Sequence, residues 1–213
     1  MGAWDEHEAG LRLSDESDCE VKGLALDTMR RYLIERYGEP GWGSLVATLP
    51  QGTRALIAEV EINEWYPEAE LRRLVTAIHA QLAEGDDQRF REIIRALALG
   101  GINRVFRALL GLSSARFVLE KVPVIWTRLR RGPSVVTVDA TDDTRVLIHY
   151  EDFRYCGDPI YRQFSIANCQ ALVVAAKQAV PKAKVVIWDD DSMTLSFELP
   201  GRSGDSDSAR VRP

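Results

Sequence analysis

The sequence predicts an α+β domain in which an N-terminal helical region packs with a small four-stranded, mainly antiparallel sheet. Three observations predict it. Apolar residues recur at helical spacing through the first two-thirds of the chain, strict alternation replaces that period from Val135 onward, and one further helical stretch separates two alternating pairs. With 46% hydrophobic residues in 213, one substantial core is within reach.

Residues 1–20 mix Asp, Glu, Ser and Gly without period, and residues 200–213 are similarly poor in apolar side chains. Both are expected to be disordered tails, which leaves 21–199 as the domain. Leu26, Met29, Leu33 and Tyr37 share a helix face that Gly38 should end, and a second short helix carries Trp42, Leu45, Val46 and Leu49. From Pro67 to Ala83 the stripe Leu71, Leu74, Val75, Ile78 and Leu82 predicts an amphipathic helix with His79 at its boundary. Helices follow over 87–99, 102–110 and 114–130, with Gly100, Gly101 and Gly111 as breaks and Pro123 interrupting the last. Alternation over 135–139 and 145–150, around the polar turn 140–144, predicts a hairpin. A long helix from Pro159 to Val180 then leads to a second hairpin, 184–188 and 193–199, turning at Asp189-Asp190-Asp191-Ser192. A half-apolar sheet must bury its inner face, so the helices should lie on one side of it.

Several function classes are excluded. A formal charge of −5, from 27 basic and 32 acidic residues, gives no general attraction to nucleic acid or to an anionic membrane. No segment has the length of apolar chain needed to span a bilayer, and the acidic start lacks the features of a secretory signal. Cys19, Cys156 and Cys169 are odd in number and far apart, which suits reduced thiols in a cytoplasmic protein better than a disulfide framework or a zinc site. There is no phosphate-binding glycine loop, dinucleotide fingerprint or nucleophile–base pattern, so no catalytic residue is assigned and a non-enzymatic role is expected. Asp189, Asp190 and Asp191 lack the spacing of a calcium loop and read as a solvated turn. Arg89, Arg91, Arg95, Arg104, Arg107, Arg116, Arg128, Arg130 and Arg131 concentrate positive charge in the helical half, where solvated helix faces are the default and a protein partner the alternative.

The segment Val21-Lys22-Gly23-Leu24, followed by Tyr32 to Glu39 and Trp42, resembles the opening of the haem nitric-oxide/oxygen-binding (H-NOX) domain. The similarity continues in order to Leu199, and the same fold class includes transport-particle (TRAPP) subunits and 4-vinyl reductase-like domains. In H-NOX proteins a histidine in the helix before the first hairpin binds haem iron. The resemblance puts Trp126 at that position, and an indole N–H can only donate. The family's Tyr-x-Ser-x-Arg element, which holds the haem propionates, is partly kept as Tyr150-Glu151-Asp152-Phe153-Arg154, with aspartate in place of serine. A carboxylate there opposes a propionate. Val122-Pro123-Val124-Ile125-Trp126 looks like the Leu-Pro-x-x-Tyr element of an uncharacterised bacterial paralogous family of this fold.

Ligand-binding candidates are therefore Trp126, Tyr150 and Arg154. Trp126 either walls an apolar pocket or simply fills the former haem site, the second being favoured. Tyr150 and Arg154 either hold an anionic group or sit in a surface ion pair with Glu151 or Asp152. His79 and His149, each alone, are read as structural residues; Cys156 and Cys169 are read as ordinary, partly buried thiols. The expectation is a haem-free signalling or scaffold module that binds a protein partner, or an apolar small molecule in a residual pocket, with homodimerisation as a further expectation. The alternative is a haem-based gas sensor whose iron ligand is His79 or His149. An enzyme on a hydrophobic substrate is a third reading, resting on fold analogy.

Overall fold

The computed structural model describes residues 19–102, 113–140 and 144–199. The expected tails lie outside the described residues except for Cys19 and Glu20, as do nearly all of the helix expected over 102–110 and part of the turn 140–144. Glu20 belongs to the domain and not to the tail: it opens strand β1 (Glu20–Lys22), and Cys19 before it is buried.

Helix α1 (Gly23–Ala47) contains both expected N-terminal helices, joined across a kink rather than a loop, except that Leu49 falls just beyond its end. Gly38 takes φ 73°, ψ 169°, a conformation only glycine adopts without strain, and Pro40 two residues later sits where the helix restarts and needs no backbone N–H. Leu26, Met29, Leu33 and Leu45 are buried as their spacing predicts, whereas Tyr37 is 38% exposed because it lies at the bend. Helix α2 (Gln51–Ala58) has no counterpart among the expected elements: it is short, and buries little besides Thr53 and Ile57. Strand β2 (Trp65–Pro67) leads into α3 (Glu68–Gln81), whose stripe Leu71, Leu74, Val75 and Ile78 is fully buried.

Helix α4 (Asp87–Gly101) starts at Asp86, whose side chain accepts from the Arg89 N–H, and ends where the glycine pair predicts, its last turn taking in Gly100 and Gly101 before the chain becomes extended at Ile102. The glycines serve packing: a Cβ on Gly101 would stand 2.7 Å from the Thr28 Cγ2 methyl, so its absence lets α4 close on α1. Pro123 divides the expected 114–130 helix into α5 (Ala115–Leu119) and α6 (Val122–Leu129), sitting in the first turn of the second. Strand β3 (Arg130–Arg131) follows at once.

The strands β4 (Val135–Asp139), β5 (Arg145–Glu151), β6 (Lys182–Trp188) and β7 (Met193–Glu198) form the expected sheet, entirely antiparallel and in the order β4-β5-β7-β6. Helix α7 (Pro159–Ala175) lies between the hairpins in sequence and along α4 in space. It ends before the expected Val180: the chain turns at Lys177, φ 59°, after Ala176 N–H has bonded back to Leu172 and Val173. Val146, Ile148, Tyr150, Leu195 and Phe197 alternate onto one sheet face and join the helices in a single core.

A second, three-stranded sheet, β2-β1-β3, lies beyond what the sequence pattern predicts. Val21 pairs with Tyr66 on one side and Arg130 on the other, so the first strand is central. The backbone runs tight after it: Gly23 N–H donates to Glu64 O at 2.8 Å, and a Cβ on Gly23 would collide with the Glu61 carbonyl oxygen.

Candidate functional site

Helices α1, α4, α6 and α7 surround a cavity of about 310 Å³, at the low end of the range of roughly 300–1,000 Å³ in which small-molecule sites fall. Its walls are made by spacing. On α7, Ser165, Asn168, Cys169 and Leu172 stand three and four residues apart and so share one face. Leu24, Thr28 and Met29 do the same on α1, and Val122, Ile125, Trp126 and Leu129 on α6.

Trp126 is 7% exposed and both lines the cavity and fills space. Its ring meets Tyr150 at 5.2 Å and Phe153 at 5.0 Å, edge to face in each case, and its Nε1–H donates to Ser134 Oγ at 3.1 Å. Tyr150, from β5, also lines the cavity, with its hydroxyl 3.8 Å from Cys169 Sγ. Burial pushes the Tyr150 phenol well above its usual range and the Cys169 thiol up to about 12, so both are neutral at ordinary pH.

Arg154 does not join them. It is exposed, its guanidinium 5.8 Å from the Tyr155 ring, and it is absent from the cavity wall. The positive charge at the cavity is Arg130, which the sequence alone leaves among the solvated arginines. Its guanidinium lies 4.2 Å over the Trp126 ring, and its Nε–H donates to Glu68 Oε1 at 3.0 Å. Glu68 is fully buried, and the Tyr161 hydroxyl donates to the same oxygen. The neighbouring carboxylate, opposing desolvation, holds Arg130 above its ordinary value and therefore charged. The one available signal is the spacing: an arginine four residues after a tryptophan at a helix end can fold back onto the ring.

The remaining candidates lie elsewhere. His79 bonds Asp87 Oδ1 at 3.0 Å and packs on Phe90; His149 Nδ1 faces Thr194 Oγ1 at 3.0 Å. Neither lines the cavity. Cys156 is buried apart from it. Asp189 folds the second hairpin, its carboxylate accepting from the backbone N–H groups of Asp191 and Ser192. Among the other arginines, Arg89 pairs with Glu84, Arg116 with Glu120 and Arg131 with Glu20, and Arg95 donates to Gln170; Arg104 and Arg107 lie outside the described residues. Among the described residues no group of three metal-ligating side chains comes together, and no helix is long and apolar enough to cross a membrane.

These residues do not fit a histidine-ligated haem. Among the described residues of the wall there is no histidine, and the groups that could offer iron a lone pair instead are the Met29 thioether, the Cys169 thiol and the Tyr150 phenol.

No family model and no curated protein matches the chain. Solved structures do, over most of its length. A point variant of Tt H-NOX aligns with TM-score 0.58 at 12% identity, covering 84% of this chain and 95% of that one. The Fe(II) unliganded H-NOX protein from K. algicida aligns with TM-score 0.57 at 10% identity, covering 85% and 98%. An S. oneidensis H-NOX protein in the Fe(II)NO ligation state gives 0.54 at 12%, covering 84% and 99%. The fold is H-NOX-like.

Proposed function

Taking that fold as the premise, we propose that the chain is a non-enzymatic sensor module whose cavity holds a small, mainly apolar ligand and whose occupancy is passed to a protein partner. The observation that carries this reading is the cavity itself: about 310 Å³ left open with Trp126 in its wall, beside a continuous core of buried side chains. A domain selected for stability alone would fill such a space, because unfilled volume forfeits packing contacts.

A second reading, a haem-based gas sensor, is favoured by the structural neighbours, which include proteins solved to probe heme distortion in the H-NOX family. Those likenesses support this alternative better than the haem-free scaffold expected from sequence. Against it stand the tryptophan that the resemblance puts at the histidine position and a wall that, among the described residues, carries no histidine.

Both readings are tested on one sample: the protein is purified from cells supplied with a haem precursor, and native mass spectrometry and an absorbance spectrum are recorded. A haem-free species carrying another small mass supports the ligand cavity. A mass increment of one haem with a Soret band establishes the second reading, and a bare polypeptide that takes up no added apolar compound sinks both.

A further inference from the structure

Among the described residues that line this mainly apolar cavity, Arg130 is the one with a charged side chain, and that charge is paired with Glu68; the combination selects a chemical class. Arg130 is fixed on three sides: Trp126 stacks at 4.2 Å, Glu68 Oε1 takes Nε–H at 3.0 Å, and Tyr161 contacts the guanidinium while donating to the same carboxylate. A guanidinium has more N–H donors than these partners occupy, and among the described residues no further acceptor meets it. Arg130 lines the cavity, so its side chain stands next to any ligand held there.

We infer that the cavity is built for a mostly apolar molecule bearing one uncharged carbonyl, received by Arg130, and that Glu68 sets this preference by cancelling the arginine's charge. The inference rests on the ligand-cavity reading above. Its physical basis is a charge count. Arg130 and Glu68 form a neutral pair, with Glu68 fully buried. A ligand carboxylate would place a second negative charge against a single positive one in a poorly hydrated site, so it would lose hydration without gaining an unopposed cation. A ketone, ester or protonated acid needs only the hydrogen bond. Its oxygen accepts from Arg130 while its chain runs among Leu24, Leu97, Ile125 and Leu172.

The test uses the full chain and two probes of similar size, heptyl methyl ketone and octanoate, titrated calorimetrically at neutral pH. The ketone should bind at least about tenfold more tightly. A merely apolar cavity would share that preference, so two further readouts decide. Glu68→Gln leaves Arg130 unopposed and should shift the ratio toward octanoate by about tenfold or more. In the wild-type protein the infrared carbonyl band of the bound ketone should fall below its position in hydrocarbon solvent, and it should return toward that position when Arg130 and Glu68 are both replaced by methionine and Tyr161 by phenylalanine, which leaves the other wall donors Thr28, Tyr150, Ser165 and Asn168 in place; this readout stands even if Glu68→Gln does not fold. A carbonyl band at the hydrocarbon position, or a ratio unchanged in folded Glu68→Gln, overturns the inference and leaves the cavity reading intact. Failure of both probes to bind overturns both.

Discussion

Trp126 and Phe153 meet edge to face, ring centroids 5.0 Å apart and planes at 90°. The contact joins α6 to the segment after β5 and continues through Tyr155, Tyr161 and Phe164 as one aromatic cluster. Trp126→Ala removes its first member and the cation–π partner of Arg130. Stability to urea should fall by about 3–5 kcal/mol, the usual cost of truncating a large buried aromatic. A nearly neutral result would show that Trp126 is a removable lid on the cavity and not part of the core.

Glu68 and Arg130 should behave as an inseparable pair. Replacing either alone by methionine strands a buried charge and should cost about 3–5 kcal/mol. Replacing both, with Tyr161→Phe to avoid leaving its hydroxyl without an acceptor, should return stability to near the wild-type level. Denaturation midpoints of the four proteins give the answer; additive losses would mean that the three side chains do not act as one buried network.

Gly23→Ala should be among the most damaging single-methyl additions in the chain. The new Cβ would press on the Glu61 carbonyl and the Tyr66 ring, and must displace the turn that returns Glu64 to Gly23. A loss of several degrees in Tm is expected, whereas alanine at Gly43 or Gly52, where a Cβ meets nothing within 4 Å, serves as the control.

Cys169 should be silent to thiol reagents until the protein unfolds. Burial raises its pKa from 9.0 to about 12, so the folded thiol is neutral while the unfolded one ionises earlier. Between these values the unfolded state binds fewer protons than the native state, and the contribution to stability declines as pH rises through that window. Cys156, held up by burial and by Asp189 and Asp191, adds to the same trend. Iodoacetamide labelling that outpaces unfolding at neutral pH would show the cavity wall to be open.

If haem is nonetheless bound in the cavity, the described residues of its wall offer Met29, Cys169 and Tyr150 as ligands. One of Cys169→Ala, Met29→Leu and Tyr150→Phe should then abolish or shift the Soret band, and His79→Gln and His149→Gln should leave it unchanged, because those histidines face Asp87 and Thr194. Loss of the band in either histidine variant would contradict the placement of both.

What can be read in the sequence divides along physical lines. The α3 stripe and the two hairpins are legible because each is a repeated local pattern with its own punctuation, Pro67 in one case and polar turns in the other. The three-stranded sheet is not, since strands of two or three residues show no alternation and their pairing is decided elsewhere. Gly100 and Gly101 read correctly as the end of α4, but the second use of Gly101, admitting Thr28 of α1, is set far away in the chain and is not legible locally. For the site, family resemblance singles out Trp126 and Tyr150, and both line the cavity. It also singles out Arg154, which lies outside, while the arginine in the wall is Arg130, whose partner Glu68 is 62 residues distant and follows no motif. Long-range charge pairing leaves no periodic trace.

The central place of β1 in the small sheet also dictates an order of assembly. Its two neighbours are reached at Tyr66 and at Arg130, and the Glu20–Arg131 contact spans 111 residues. On the ribosome, the first strand and the helix it launches must wait for most of the helical region to be synthesised before β3 can close against them. Such a late, distant closure slows folding, and any cut or early stop before Arg131 leaves an unpaired strand edge exposed to other chains.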